Sequence, residues 1–219
     1  MAEYQPLQQK AYEHLRQKIM QGQLVPGVIY SETKLAAEIG ISRTPMKDAL
    51  VRLSQDKYID ILPSKGFCLH VMSEEDIWST YQARTAIEGF CAMNLARTRQ
   101  TARGQETLGR MAASVAAMRQ AIDSGEANDT ILSRDLSFHQ ALVRSAQNPE
   151  MTSLFESYNH RLYAIATASF AQPGRPGRAL AEHQAIYDAI QSDDGGGMAA
   201  YQAVMRHMEA SRDIALQNS

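Results

Sequence analysis

The sequence has few cysteines, few aromatic residues and no long apolar run, and each shortage excludes a class of protein. Its two cysteines, Cys68 and Cys91, have neither a metal-ligand nor a redox spacing, so we expect two buried thiols in a reducing compartment. No stretch approaches a membrane span, and residues 1–10 lack the apolar core of a signal peptide. We therefore expect a cytoplasmic protein without membrane contact. The scarcity of aromatics, together with abundant alanine and methionine, favours helix.

Lysine is absent after Lys65, and this uneven distribution separates two parts of the chain. Residues 1–72 carry nine Lys and Arg against seven Asp and Glu, whereas the remainder carries thirteen against seventeen. The net charge of −2 therefore combines a mildly basic first part with an acidic second part. With 219 residues the chain is long enough for two modest domains, and the charge asymmetry favours DNA binding by the first.

Residues 31–53 have the pattern of two short amphipathic helices joined by a tight turn. Apolar residues recur there at three- and four-residue spacings, Gly40 marks the turn, and Pro45 falls in the first turn of the second helix. A helix-turn-helix inserts the start of its second helix into the major groove. The residues predicted to contact DNA from that start are Ser42, Arg43, Thr44 and Lys47. Taken alone, the same pattern also fits two amphipathic helices without a DNA-binding role.

Two alternating segments, residues 58–62 and 67–71, follow the helix-turn-helix and predict a β-hairpin. Between them lie four turn-forming residues with Lys65 at the tip, which is typical of the wing of a winged helix. Lys65 would reach the DNA backbone or the minor groove. Lys34, at the start of the first short helix, would contact phosphate, although it also fits a solvated lysine.

From residue 73 to the end the sequence predicts helices only. The predicted helices cover residues 73–98, 104–124, 129–146, 149–170, 178–192 and 197–216. We therefore predict a mainly α protein, in which a winged helix-turn-helix DNA-binding domain at 1–72 precedes an antiparallel six-helix bundle at 73–219.

Three of the predicted bundle helices place a histidine on an inward face. Asp135 and His139 lie one turn apart on one helix, and His183 and His207 lie on apolar stripes of the last two helices. Three imidazoles and a carboxylate suit Zn²⁺, Ni²⁺ or Mn²⁺. Four protein ligands on an octahedral ion leave two positions open, which a small chelating anion such as a carboxylate would fill. Each histidine taken singly also fits a hydrogen-bonded core residue.

The N-terminal motifs resemble those of the GntR family of bacterial transcription regulators. The resemblance rests on SETKLA at 31–36, SRTP at 42–45, ALVRL at 49–53 and the Lys65-Gly66 pair of the wing. The C-terminal part looks like the FCD effector-binding domain of the FadR subfamily, through DLSFH at 135–139, EHQAI at 182–186 and His207. Its shortness is similar to that of the six-helix, VanR-like branch.

The resemblance implies a homodimer on a palindromic operator, with Gly66 in the DNA-contacting wing. It also implies a carboxylate metabolite bound over the metal and held by Arg84, although Arg84 also fits an ion pair with Glu88 on the same helix. A metabolite-responsive transcription regulator is the leading interpretation. Two alternatives stay open, a metal-dependent hydrolase with an appended DNA-binding module and a regulator that senses the metal itself.

Overall fold

The N-terminal part of the chain forms three helices and a two-stranded hairpin. The computed structural model describes residues 6–192 and 196–217, and the chain divides into two compact units, Met1–Val71 and Met72–Ser219. The elements of the first unit are α1 (Leu7–Met20), α2 (Glu32–Glu38), α3 (Arg43–Gln55), β1 (Ile59–Leu62) and β2 (Gly66–Leu69). Their apolar sides meet in one core that includes Leu15, Met46 and Phe67. This is the winged helix-turn-helix that the sequence predicts.

The turn between α2 and α3 follows most of the sequence signals. Ser31 caps α2, since its hydroxyl accepts a hydrogen bond from the Lys34 N–H at 3.5 Å. Gly40 has a φ of +68°, a left-handed conformation that a residue without Cβ adopts readily. Ser42 occupies the N-cap position of α3, but within the described chain its hydroxyl makes no capping hydrogen bond. Ser42 is therefore an N-cap by backbone position alone.

Tyr30 ties the hairpin to the rest of the first unit. In the antiparallel pair of β1 and β2, Leu62 lies opposite Gly66, and Lys65 is exposed at the tip. The Tyr30 N–H donates to the Phe67 carbonyl at 2.7 Å, and the Phe67 N–H donates to the Tyr30 carbonyl at 3.1 Å. At Gly66, where φ is +125°, a Cβ would overlap the Tyr30 carbonyl oxygen. A glycine at this position therefore allows the hairpin and Tyr30 to pair.

Among the described residues of the C-terminal unit, the regular elements are all helices. Its elements are α4 (Glu74–Thr98), α5 (Ala102–Asp123), α6 (Asn128–Ser145), α7 (Pro149–Ser157), α8 (Asn159–Phe170), α9 (Arg175–Gln191) and α10 (Met198–Leu216). A capping box starts α4, in which Ser73 and Asp76 each bond to the other's backbone N–H. Among the described residues, no helix combines the length and the apolar character that crossing a membrane requires. The mainly helical fold class predicted from the sequence is confirmed.

Most helix boundaries of this unit lie within two residues of the predicted ones, and two differences are larger. The segment predicted as one helix over 149–170 is divided at Tyr158, where the sequence has neither glycine nor proline to signal a break. The helix predicted from residue 178 begins three residues earlier, at Arg175. Pro176 is compatible with this early start, because a proline in the first turn removes no helical hydrogen bond. The early start makes Arg175 part of α9 rather than of the preceding loop.

Gly89 allows close packing between α4 and α10. A Cβ added to Gly89 would lie 2.7 Å from two ring carbons of Tyr201 on α10. Cβ atoms essentially never approach other heavy atoms this closely, so a larger residue would force the Tyr201 ring or the helix backbone to move.

We predict that Gly89→Ala destabilises the protein, because overpacking of about 1–3 kcal/mol outweighs the helix-propensity gain of about 1 kcal/mol. Gly109→Ala is the matched control. Gly109 is exposed within α5, and apart from its own helix no described atom lies within 4 Å of an added Cβ. This second change should therefore stabilise. Chemical denaturation measures both, and an equal gain in the two variants would show that the Tyr201 contact yields without cost.

Candidate DNA-binding surface and candidate metal and ligand site

The start of α3 and the tip of the hairpin line one groove in the N-terminal unit. Its lining includes Glu32, Arg43, Lys47, Val51, Ile61, Lys65 and Gly66. The other residues predicted to contact DNA, Lys34, Ser42 and Thr44, are exposed near the starts of α2 and α3. The fold thus brings four of the seven predicted residues to one groove and leaves the other three accessible to solvent.

Arg43 is tethered at this groove by an ion pair with Glu32, in the first turn of α2. The Arg43 side chain remains 62% exposed, whereas that of Glu32 is 21% exposed. Exposed ion pairs contribute about 0–1 kcal/mol, so the guanidinium can exchange Glu32 for a phosphate or a base edge at little cost. The ion pair therefore positions the Arg43 guanidinium and still leaves it able to bind DNA.

The four predicted metal ligands come from three helices of the C-terminal unit and are all buried. Asp135 and His139 lie on α6, His183 on α9 and His207 on α10. One donor nitrogen from each of the three imidazoles lies within 4.8 Å of the other two. The Nε2 atoms of His139 and His183 are 3.1 Å apart. The fold therefore gathers three ring nitrogens from distant parts of the sequence.

Asp135 lies beside the three imidazoles. Its carboxylate oxygens are 3.3 Å from the Nε2 of His183 and 3.8 Å from the Nε2 of His139. Burial raises the pKa of Asp135 to about 7, although the nearby Arg84 and Arg175 oppose the rise. A cation bound among the imidazoles would favour the ionised carboxylate.

Two glutamates fix the orientation of two of these imidazoles. Glu88 Oε2 lies 2.5 Å from the Nδ1 of His139, and Glu182 Oε2 lies 2.7 Å from the Nδ1 of His207. Burial raises the pKa of Glu88, although Arg84 opposes the rise, whereas His207 and Arg175 outweigh burial and lower the pKa of Glu182. When these carboxylates are ionised they only accept hydrogen bonds, so each Nδ1 then carries the proton and each Nε2 presents a lone pair. Metal-ligating histidines usually have such a carboxylate on their other nitrogen. The sequence predicted Glu88 only as a partner of Arg84 and gave no role to Glu182.

His183 is held by stacking instead. Its ring lies against that of Phe138, with centroids 4.3 Å apart and planes 7° apart, while its buried Nδ1 lacks a hydrogen-bond partner among the described residues. Burial lowers the pKa of His139 and of His183 well below 6.5. Burial also lowers the pKa of His207, against the opposing effect of Glu182. The three imidazoles are therefore neutral near pH 7, the form that binds metal.

This donor set fits a divalent metal ion. A hydrogen bond over the 3.1 Å between the Nε2 atoms of His139 and His183 needs a proton on one of the two nitrogens. A cation that replaces this proton would be bound by both lone pairs. Imidazole nitrogen and carboxylate oxygen are ligand types that Zn²⁺, Ni²⁺ and Mn²⁺ all accept.

Two buried arginines lie next to the histidine cluster and line one small cavity. The Nε of Arg84 donates to Glu88 Oε1 at 2.7 Å, which is the ion pair that the spacing on α4 also predicts. Arg175 donates from Nη1 to both oxygens of Glu182 at 3.0 Å and from Nη2 to the Ser211 Oγ at 2.7 Å. Sequence reasoning missed Arg175, which stands in a segment that reads as a loop.

These features together define a class of protein. A winged helix-turn-helix with a cationic, exposed surface shares its chain with a second unit, whose described elements are all helices that enclose a cluster of buried polar side chains. This is the organisation of a DNA-binding transcription regulator with a sensory domain.

Comparison with known families agrees with that class. The family profile of the FCD domain matches residues 79–210, and the profile of bacterial regulatory proteins of the gntR family matches residues 7–69. The chain belongs to the GntR family of bacterial transcription regulators that carry an FCD domain. The matched families and relatives are regulators and not enzymes, which excludes the alternative of a metal-dependent hydrolase.

Individual relatives cover nearly the whole chain. The HTH-type transcriptional repressor RspR of Escherichia coli (strain K12) is 26% identical over 219 residues, which cover 98% of this chain and 93% of that protein. A GntR transcriptional regulator from Rhodococcus sp. RHA1 has a TM-score of 0.75 at 21% identity and covers 97% of this chain and 98% of that chain. The metal-free FCD domain of another regulator has a TM-score of 0.55 at 18% identity, over 68% and 96% of the two chains. At these identities the two structures demonstrate a shared fold alone.

Proposed function

We propose that this regulator binds a palindromic operator as a homodimer, and that a divalent metal and a small carboxylate effector in its helical unit change its affinity for that operator. The observation that carries the proposal is the set of three neutral imidazoles that converge in a buried site, two of them oriented by glutamates. We assign the chain to the FadR subfamily and its VanR-like branch, whose six helices correspond to α4–α10 when α7 and α8 are counted together. Its site of action is the cytoplasm, where the DNA is.

The metal would be held by Asp135, His139, His183 and His207, and it would be Zn²⁺, Ni²⁺ or Mn²⁺. When bound, it supplies a positive charge that attracts a carboxylate. Arg84 would hold that carboxylate, because it is buried beside the cluster and lines the adjacent cavity.

Ligand binding at this site would act on helix packing. The four proposed metal ligands belong to α6, α9 and α10, so occupancy joins three helices that are far apart in the sequence. An effector shifts operator affinity only by as much as its own affinity differs between the DNA-binding and the released conformation. If the metal alone is the signal, its removal will change operator affinity without any carboxylate, which distinguishes the pure metal sensor.

For DNA recognition we propose contacts from Lys34, Ser42, Arg43, Thr44, Lys47, Lys65 and Gly66. The support is the exposure of the six side chains at the start of α2, the start of α3 and the hairpin tip, beside which Gly66 is half-buried. The start of α3 also offers free backbone N–H groups, which favour phosphate.

We predict that Arg43→Ala weakens specific operator binding by about 1–3 kcal/mol, because it removes a contact to a guanine edge. Lys34→Ala should weaken binding to operator and to random duplex alike, because a phosphate contact carries no sequence information. Binding titrations at several salt concentrations measure both. An Arg43→Ala protein that binds the operator as the wild type does would show that the recognition helix is misplaced.

We predict a dimer in solution on an operator whose half-sites are related by a dyad. A single winged helix makes too few base contacts to select one genomic site, and a two-fold operator mirrors a two-fold protein. Sedimentation and footprinting measure the two properties. A concentration-independent monomer, or protection of one unrepeated half-site, would count against the proposal.

We predict about one divalent ion per chain in the purified protein, held by a site of the kind that neutral imidazoles form. His139→Ala and His183→Ala should each lose the ion, whereas His14→Ala, in the N-terminal unit, should retain it. Elemental analysis measures the content, and titration of carboxylates against operator release measures the response. A wild-type protein without metal even after reconstitution would refute the site. If both variants lose metal and a carboxylate still releases the DNA, the ion is structural.

A further inference from the structure

One side of α4 carries a line of exposed residues, which we call the α4 stripe. Its members recur at spacings of four and seven residues, so they lie along one face of the helix. They are Glu75, Gln82, Ala86, Phe90 and Arg97. The stripe follows nearly the whole of α4, whose 25 residues have a length of about 37 Å.

The exposed large hydrophobic side chains of the C-terminal unit gather on and beside this stripe. Phe90 is 43% exposed on the stripe, and Trp78 is 42% exposed at its edge. Met198 is 55% exposed at the start of α10, the helix that packs closely against α4 at Gly89. Among the described residues of this unit, only Leu154 on α7 is a further large hydrophobic of similar exposure. Exposed apolar side chains that cluster in this way mark an interaction surface, whereas single ones need no explanation.

The two ends of the α4 stripe carry opposite charges. Glu75 lies in the first turn of α4 and Arg97 in its last turn, and both are exposed. The Nε of Arg97 donates to the Gly196 carbonyl at 3.2 Å, a contact that uses one of its five N–H donors. The stripe is therefore acidic at its start, apolar at Phe90 and basic at its end.

The order of residues along the stripe is self-complementary when a second copy runs antiparallel. Gln82 and Phe90 lie four residues on either side of Ala86, and Glu75 and Arg97 lie eleven residues on either side. A two-fold axis at Ala86 therefore places the Glu75 of each protomer opposite the Arg97 of the other, and each Phe90 opposite a Gln82. Reciprocal pairing of this kind is what a two-fold interface requires. A parallel alignment would instead place like charges side by side at both ends, which is unfavourable.

We propose that the α4 stripe is the dimer interface of the C-terminal unit, and that a second copy of this chain packs against it antiparallel, with the two-fold axis at Ala86. The inference rests on the homodimer of the proposed function and names its surface. It also links that surface to the metal site. Because α4 carries Glu88, which orients His139, a change at the histidine cluster reaches the interface through a single helix.

Charge exchange in the full-length protein tests the antiparallel pairing. Glu75→Arg and Arg97→Glu should each weaken self-association about 10- to 100-fold, because each change places like charges opposite one another at two symmetric positions. An equal mixture of the two variants should form a dimer with nearly the wild-type affinity, since both pairs in the mixed dimer again have opposite charges. Sedimentation equilibrium measures the variants and the mixture. A mixture that associates no more tightly than either variant alone would overturn the pairing.

The apolar part of the stripe is tested by Phe90→Arg, with Leu154→Arg as the matched control. Leu154 is 48% exposed on α7, so both changes place a positive charge at an exposed apolar position. Phe90→Arg should weaken the dimer about 30-fold or more, because it removes a large apolar side chain from the interface. Leu154→Arg should leave the dimer affinity unchanged. Equal loss in the two variants would overturn the assignment.

A cross-link at Ala86 tests the position of the two-fold axis independently of affinity. Two copies of a residue on that axis face each other, and a disulfide requires Cα atoms within about 7 Å. In a Cys68→Ser background, Ala86→Cys should form a covalent dimer under mild oxidation, whereas Ala116→Cys, at an exposed position of α5, should not. If the wild type is a dimer and Ala86→Cys forms no covalent dimer, the proposed axis is wrong.

The outcomes separate this inference from the proposed function. A wild type that stays a monomer at every concentration refutes both the homodimer and its interface. A wild-type dimer whose affinity is unchanged in Phe90→Arg and in the charge-exchange variants keeps the proposed homodimer. It would overturn the inference and assign the α4 stripe to a different partner.

Discussion

The interior of the C-terminal unit depends on two buried carboxylates that each serve two partners. Glu88 neutralises Arg84 and orients His139, and Glu182 does the same for Arg175 and His207. Removing one partner of a buried ion pair leaves an uncompensated charge and typically costs about 3–5 kcal/mol. The two glutamates therefore determine both which lone pairs face the centre and which arginine N–H groups remain for a ligand.

The N-terminal unit works under a different constraint. Its candidate DNA contacts are exposed except for the half-buried Gly66, and only Arg43 among those at the start of α3 has an ion-pair partner within the described residues. Rigidity comes instead from the backbone, through the double hydrogen bond between Tyr30 and Phe67 that Gly66 permits. A DNA-binding surface needs cationic side chains that can move, carried on a rigid backbone. The buried site instead needs polar groups held in fixed orientations in a low-dielectric interior.

Local sequence signals were reliable where one turn or one cap decides the structure. The wing, the turn at Gly40 and the capping box at Ser73 all follow from residues within a few positions of one another. The break at Tyr158 has no such signal in the sequence. The start of α9 was predicted too late, because the Gly and Pro residues that flank Arg175 are typical of a loop. Local signals alone therefore did not place these two boundaries.

The sequence by itself determined the fold class, the family and the helical faces that carry Asp135, His139, His183 and His207, because helical periodicity is a local property. It could not determine which of those faces meet, nor the partners of Glu182 and Arg175. Arg175 lies seven residues from Glu182 and thirty-six from Ser211, so its burial depends on how α9 and α10 pack. Only the tertiary structure decided that this arginine is an interior residue beside the histidine cluster, because desolvation and long-range pairing are properties of the assembled core.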